Sequence, residues 1–292
     1  MNIGTIGILS PGSMGQAIGQ QLVGAGFTVC TSLDGRSDRT RRLADHAGFL
    51  DTGSLSALVE KCDVILSVLN PAAAHEVAAS VARAIATTGS KPLFVDCNAI
   101  APGSMHSIAQ IILSVGGRCV DGAVMSAPPR DGVKGRLIVS GPDARELEVL
   151  ATPELSVRVV GARVGDASAI KMCDAVMTKG VTALVLEMMI AARRLGVLEE
   201  LEAQFHPDRR AICRAVMNLV PTMPSKSYRW VPEVGEIAST LESAGMPPTM
   251  MSAAADFYSF VAATPLGQET PESLDRSRTA EDVVRILADG PR

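Results

Sequence analysis

The turn Ser10-Pro11-Gly12-Ser13-Met14-Gly15 constrains this chain most. It joins a short apolar run, Ile3 to Leu9, to a helical pattern from Gln16 to Ala25, with Gly26 just past the end. A strand that feeds a helix through a glycine turn exposes backbone N–H groups at the positive end of the helix dipole, a ready anion site. Gly12 lets the backbone approach a pyrophosphate, and Gly15 allows close helix–strand packing. Ser10 stands where the common G-x-G-x-x-G pattern has its first glycine. Alone, these residues equally describe a glycine-rich structural turn. Their place after the first strand of a βαβ pattern favours a dinucleotide site spanning Ser10, Pro11, Gly12, Ser13, Met14 and Gly15.

The rhythm downstream agrees. Strands are predicted over Phe27–Leu33, Asp63–Leu69 and Pro92–Asp96, and helices over Ser37–His46, Ala73–Ala86 and Pro102–Ser114. Further strands near Arg118–Ala123, Arg136–Ser140 and Ser156–Val160 extend a doubly wound parallel sheet. Beyond Gly161 only helices and loops are expected: one long helix over Asp166–Leu195, then Arg209–Leu219, Val234–Ser243, Met250–Ala263 and Ala280–Ala288. The expected fold is α/β, with an N-terminal Rossmann-type doubly wound sheet (residues 1–162), a long interdomain helix (163–195) and an all-α C-terminal domain for substrate and dimerisation (196–292).

Composition narrows the function classes. With 47% hydrophobic and 20% charged residues the chain is an ordered globular protein, and a net charge of −4 gives no general attraction to nucleic acid or anionic membrane. Six cysteines without C-x-x-C spacing read as buried free thiols of a reducing compartment, and four isolated histidines argue against a protein-ligated metal. The opening Met1-Asn2-Ile3-Gly4 lacks the charged region of a signal peptide. The most apolar stretch, Gly180–Ala192, contains Glu187 and is too short to span a bilayer, so a helix buried in protein and a soluble, cytoplasmic chain are expected.

Adenosine preference is set after the second strand. Asp34 lies roughly 20 residues past the glycine turn, where an acid binds the ribose hydroxyls of NAD. Arg36, Ser37 and Arg39 follow and suit the extra phosphate of NADP. Two arginines and a hydroxyl favour NADP, with NAD possible and Asp34 turning the chain. The basic run of Arg36, Arg39, Arg41 and Arg42 also reads as a solvated helix face. Leu69 and Asn70 follow the third predicted strand and Asn98 follows the fourth. There each asparagine either meets the nicotinamide and its ribose or caps and turns the chain.

Four segments in order, Ile6–Gly15, Val95–Pro102, Val120–Ala127 and Gly165–Lys171, resemble the β-hydroxyacid dehydrogenase family, which includes 3-hydroxyisobutyrate and 6-phosphogluconate dehydrogenases. Met223–Trp230 and Glu236–Ala238 are similar to a bacterial branch of phosphogluconate-dehydrogenase-like proteins with a distinct C-terminal domain. The resemblance implies that Lys171, on the interdomain helix, is the general acid/base. It also implies a homodimer in which the long helices and C-terminal domains pack together. Two positions depart from the family. Ala175 stands where an asparagine is usual, leaving Asp174 to pair with Lys171, face the cofactor or accept from a substrate amine. The substrate loop reads Asp121-Gly-Ala-Val-Met-Ser-Ala127, so Met125 replaces a serine, and Ser126 takes over that contact or the pocket is more apolar there.

Arg229 is a candidate partner for a substrate carboxylate or phosphate, while Tyr228 and Trp230 read either as site residues or as core or dimer-interface aromatics. The expected activity is NAD(P)-dependent interconversion of a hydroxyl and a carbonyl on a small acidic substrate. Substrate contacts are expected from Met125, Ser126, Ala127, Asp174 and Arg229. The alternatives are an imine reductase acting on C=N bonds and a noncatalytic NADP-binding interaction protein.

Overall fold

The computed structural model describes residues 3–129, 132–270 and 273–290; the Met1-Asn2 opening read above lies outside them. The chain divides into two compact units, Met1–Met172 and Cys173–Arg292. In the first, β1 (Thr5–Ile8), α1 (Ser13–Gly24), β2 (Thr28–Thr31), α2 (Asp38–His46), β3 (Leu50–Asp51), α3 (Leu55–Lys61), β4 (Val64–Ser67), α4 (Ala74–Thr88), β5 (Leu93–Asp96) and α5 (Pro102–Ser114) alternate. The strands β6 (Arg118–Val124), β7 (Gly135–Ser140) and β8 (Leu155–Gly161) then complete an eight-stranded sheet of order β3-β2-β1-β4-β5-β6-β7-β8. The order reverses between β1 and β4, which makes the crevice beyond their C-terminal ends the switch point where open α/β sheets bind ligands.

Both faces of the sheet are covered. Ile6, Ile8, Val95 and Val120 pack with Leu22 and Phe49 on one face. Ile65 and Phe94 pack with Val81, Ile85, Met105 and Ile108 on the other. Strands covered twice read as unbroken apolar runs, and β4 and β5 are buried at every residue. One pairing departs from the all-parallel expectation: β7 runs antiparallel to β6, with Asp121 opposite Ser140 and Val124 opposite Leu137. β3 and α3 were not anticipated in this unit, nor the helix Leu198–Ala203 in the next. β3 is only two exposed residues, too short for any period, and α3 is a single short helix capped by Ser54.

The helical run that opens with α6 (Asp166–Ala175) passes through a π-helical turn, Val176–Gly180, into α7 (Val181–Arg194). It runs for 29 residues, and its most apolar 18-residue window has a mean hydropathy of 1.6, long and apolar enough to cross a membrane by length and composition, unlike Gly180–Ala192 alone. Half of its most apolar window is buried inside the protein. The helical unit continues through α8 (Leu198–Ala203), α9 (Pro207–Met217), α10 (Ser227–Ser243), α11 (Thr249–Ala262) and α12 (Ala280–Asp289), which starts in a reciprocal Thr279/Asp282 cap. Among the described residues this unit has no strand. α10 begins well before the expected Val234 and carries Pro232 inside it. A proline there has no N–H to give the Tyr228 carbonyl, and Tyr228 itself is exposed. The cysteines are free thiols, five of them buried; Cys173 is exposed, contrary to expectation, because it faces outward on α6.

Candidate active site

The turn after β1 is built for close approach. The Gly12 N–H donates to the Ser10 carbonyl at 2.7 Å, and the Gly12 carbonyl accepts from the Gln16 N–H, starting α1. A Cβ on Gly15 would lie 2.3 Å from the Ser10 carbonyl oxygen, so only glycine brings α1 this close to the end of β1. Among the described residues a Cβ on Gly12 would meet nothing within 4 Å, so that side of the turn is open to them. No side chain caps α1 at Gly12, and its first turn holds no acid. A turn open among the described residues, a helix start without a side-chain cap at Gly12 and a first turn without an acid fit a pyrophosphate.

Asp34 and Gly35 occupy a tight turn closed by the Arg36 N–H donating to the Leu33 carbonyl, with Gly35 at φ +65°. The Arg36 guanidinium reaches back to donate to the Leu9 carbonyl at 3.1 Å, beside the glycine turn. Ser37 caps α2, its hydroxyl accepting from the Thr40 N–H. Arg41 braces the loop through the Arg36 and Leu33 carbonyls. Asp34 is thus the turning residue, exposed, while Arg36 is the residue carried to the end of β1.

Asn98 is buried, and its amide ties the ends of two strands together. Its Nδ2 donates to Ser67 Oγ and to Asp96 Oδ2, both at 3.0 Å, and its Oδ1 accepts from the Leu69 N–H at 2.7 Å. Asn70, exposed, accepts from the Ala72 N–H and starts a single 3₁₀ turn. The side chains of both asparagines therefore hold the backbone after β4 in shape. Asp96, also buried, accepts from the Asn98 N–H at 2.9 Å. Burial pushes its carboxyl up to about 7, against the pull of these bonds.

A second buried carboxylate, Asp121 on β6, was not among the expected site residues. It accepts from the Gly165 and Ser168 N–H groups at 2.9 and 3.0 Å, from Ser168 Oγ at 2.7 Å and from Ser140 Oγ at 2.9 Å. Ser140 Oγ in turn accepts from the Ala167 N–H. Together they cap the start of α6 with a charge of the favourable sign and hold it on β6 and β7. Its sequence trace is an acid in the middle of an apolar strand, at the head of the segment read as the substrate loop. One turn further along α6, Lys171 is part-buried and its Nζ donates to the Val124 carbonyl, at the end of β6, at 2.6 Å. The next residues, Met125 and Ser126, stay engaged with Arg136: Met125 N–H donates to its carbonyl, and Ser126 Oγ accepts from its N–H. Ala127 is exposed.

In the helical unit, Asp174 is exposed on α6 and Arg229 is exposed on α10. Trp230 packs edge-on to the fully buried Tyr258, centroids 5.1 Å apart, whereas Tyr228 is exposed. Among the described residues no group of three His, Cys, Asp or Glu could hold a metal ion.

Fold and turn together define a Rossmann-type dinucleotide-binding protein with a helical C-terminal unit. Residues 5–99 match the family described as NADP oxidoreductase, coenzyme F420-dependent, and residues 192–261 match a domain of unknown function (DUF1932). The L-threonate dehydrogenase of Cupriavidus necator is 30% identical over 202 residues, which cover 67% of this chain and 66% of that protein. A solved protein of unknown function, described as structurally similar to 3-hydroxyacid dehydrogenases, is 28% identical with a TM-score of 0.67, over 88% of this chain and 96% of its own. The 3-hydroxyisobutyrate dehydrogenase of Mycobacterium tuberculosis shares the fold at 19% identity and a TM-score of 0.69, over 98% and 99% of the two chains. The chain belongs to the β-hydroxyacid dehydrogenase family, a class of NAD(P)-dependent dehydrogenases and reductases.

Proposed function

We propose that this chain interconverts a hydroxyl and a carbonyl on a small acidic substrate, with Lys171 as the general acid/base. The observation that carries the reading is the placement of Lys171: its helix is capped by Asp121, and its amine is held on the Val124 carbonyl beside the Met125–Ala127 loop. Ser10 to Gly15 hold the pyrophosphate of the dinucleotide. Arg36 and Ser37 take the 2′-phosphate of NADP, which makes NADP the preferred cofactor over NAD, and Asp34 shapes their turn. Leu69, Asn70 and Asn98 form the wall for the nicotinamide end, Asn98 acting through the backbone it ties.

When bound, the nicotinamide supplies or takes up the hydride. In reduction Lys171 gives a proton to the carbonyl oxygen, and in oxidation it takes the hydroxyl proton. The Val124 carbonyl fixes the direction of its amine, so the proton is delivered at one position. Ser126 accepts from a backbone N–H and keeps its own hydroxyl proton to donate to a substrate oxygen. We assign Met125, Ala127, Asp174 and Arg229 to the substrate as well. We also propose a homodimer, supported by Met177 and Leu184 on the long helix, which are 67% and 65% exposed. A solution mass of one chain by light scattering would refute it. The free thiols suit a reducing, cytoplasmic setting.

The test is a turnover panel: NADPH and NADH oxidation with 2- and 3-oxoacids, aldehydes and cyclic imines, and the reverse reaction with hydroxyacids. Turnover of an oxoacid or hydroxyacid is expected. Turnover of cyclic imines alone would make the chain an imine reductase. No turnover despite tight cofactor binding would make it a binding protein.

A further inference from the structure

One cluster in the helical unit enters the chemistry above only through Arg229. Lys179 lies in the π-helical turn and is only 8% exposed. Its Nζ is 3.3 Å from Glu233 Oε1 and 3.9 Å from the centre of the Trp230 ring, and its carbonyl accepts from Tyr258 Oη at 2.7 Å. An ammonium held by a carboxylate and an aromatic face is fixed in place. The partners sit on one face of α10 and its approach, because Lys226, Arg229, Trp230 and Glu233 follow one another at helical spacing.

That face carries more positive charge than Glu233 neutralises. The Lys226 amine donates to Thr222 Oγ1 at 2.8 Å and meets no carboxylate among the described residues, and Arg229 has no ion pair there. The cations feel one another. Lys179 is lowered from its ordinary value chiefly by burial, with Arg229 adding to the fall and Glu233 opposing it. Lys226 is lowered by burial and by the charges of Arg229 and Lys179. Three neighbouring cations, of which only Lys179 is paired with a carboxylate among the described residues, repel, and a ligand of opposite charge removes that repulsion.

We propose that Lys179, Lys226 and Arg229 form an anion-binding site in the helical unit, suited to a compact dianion such as a phosphate monoester or a small dicarboxylate. Two uncompensated charges match a dianion. The planar Arg229 fork pairs two of its oxygens, and Lys226 serves as a point charge. Lys179, locked by Glu233 and Trp230, forms the floor. The site deepens the assignment of Arg229 and rests on it, but its test is binding, so it can fail while the redox reading stands.

Trp230 is the only tryptophan of the chain and lies against Lys179, so it reports on the site. Inorganic phosphate, malonate and acetate are titrated into the full chain at fixed ionic strength while tryptophan fluorescence is followed. Phosphate or malonate, or both, give a saturable change, and which of them binds separates the phosphate from the dicarboxylate source. Acetate binds at least ~10-fold more weakly. Lys226→Gln and Arg229→Gln leave the Lys179–Glu233 pair in place; each weakens the dianion roughly 10-fold with an unchanged thermal melt. No saturable change, acetate binding as tight as the dianions, or variant curves superimposed on the wild type would overturn the proposal.

Discussion

At the residue scale, two side chains carry separable consequences. Arg36 crosses from the β2–α2 loop to the Leu9 carbonyl, beside the glycine turn, while Asp34 only turns the chain. Arg36→Ala is therefore expected to weaken NADPH roughly 10- to 100-fold and NADH much less, the loss of a charge-assisted pair to one phosphate. Calorimetric titration of both cofactors checks this, and equal losses for both would remove Arg36 from cofactor choice. Asp96 links stability to pH. Its carboxyl titrates at about 7 in the fold, against an ordinary value of 3.8, so between these values the folded chain keeps a proton that the unfolded chain has released. Its contribution is fully present below about pH 4 and is lost as pH rises through about 7. Burial raises Asp121 as well, adding a slope of the same sign. Urea unfolding at pH 5 and pH 7.5 should show a smaller loss on raising pH in Asp96→Asn than in the wild type. An unchanged slope in the variant would contradict the assignment.

At the scale of elements, the start of α6 depends on one carboxylate reached from a distant strand. Asp121→Ala leaves the Gly165 and Ser168 N–H groups without their buried acceptor and should cost about 3 kcal/mol, measured by denaturant unfolding. Asp121→Asn keeps one acceptor oxygen and should recover part of that loss. A cost below about 0.5 kcal/mol for the alanine variant would mean that α6 is held by other contacts. Local signals place helix starts: α5 begins at Pro102, where its start was expected, and α12, expected over Ala280–Ala288, begins at a Thr279 cap that the structure reveals, because proline and capping chemistry act over one turn. The two-residue β3 gave no period to read. The π turn was unreadable for another reason: apart from Gly180, Val176–Gly180 keeps an ordinary helical pattern, and the shift shows only in the backbone bonding.

For the whole molecule, the Rossmann-type unit was legible because a strand, a glycine turn and a helix repeat a pattern decided by neighbours in sequence. The sites were legible only in part. Lys171 and Arg36 stood out through motif and charge, but their supports come from far along the chain. Asp121 meets Ser168, and Tyr258 meets Lys179, across separations that no periodicity reveals. Asn98 was readable as a polar residue at a strand end, yet its bonds to Ser67 and Leu69 emerge only once β4 and β5 lie side by side. The central claim is that this chain moves a proton through Lys171 while a nicotinamide carries the hydride. The direct measurement is single-turnover reduction followed at 340 nm, comparing wild type with Lys171→Ala at saturating cofactor and the best oxoacid. Cofactor affinity is expected to be unchanged and the rate lower by roughly 10²- to 10⁴-fold in the variant. A variant that reduces the oxoacid at the wild-type rate would contradict it.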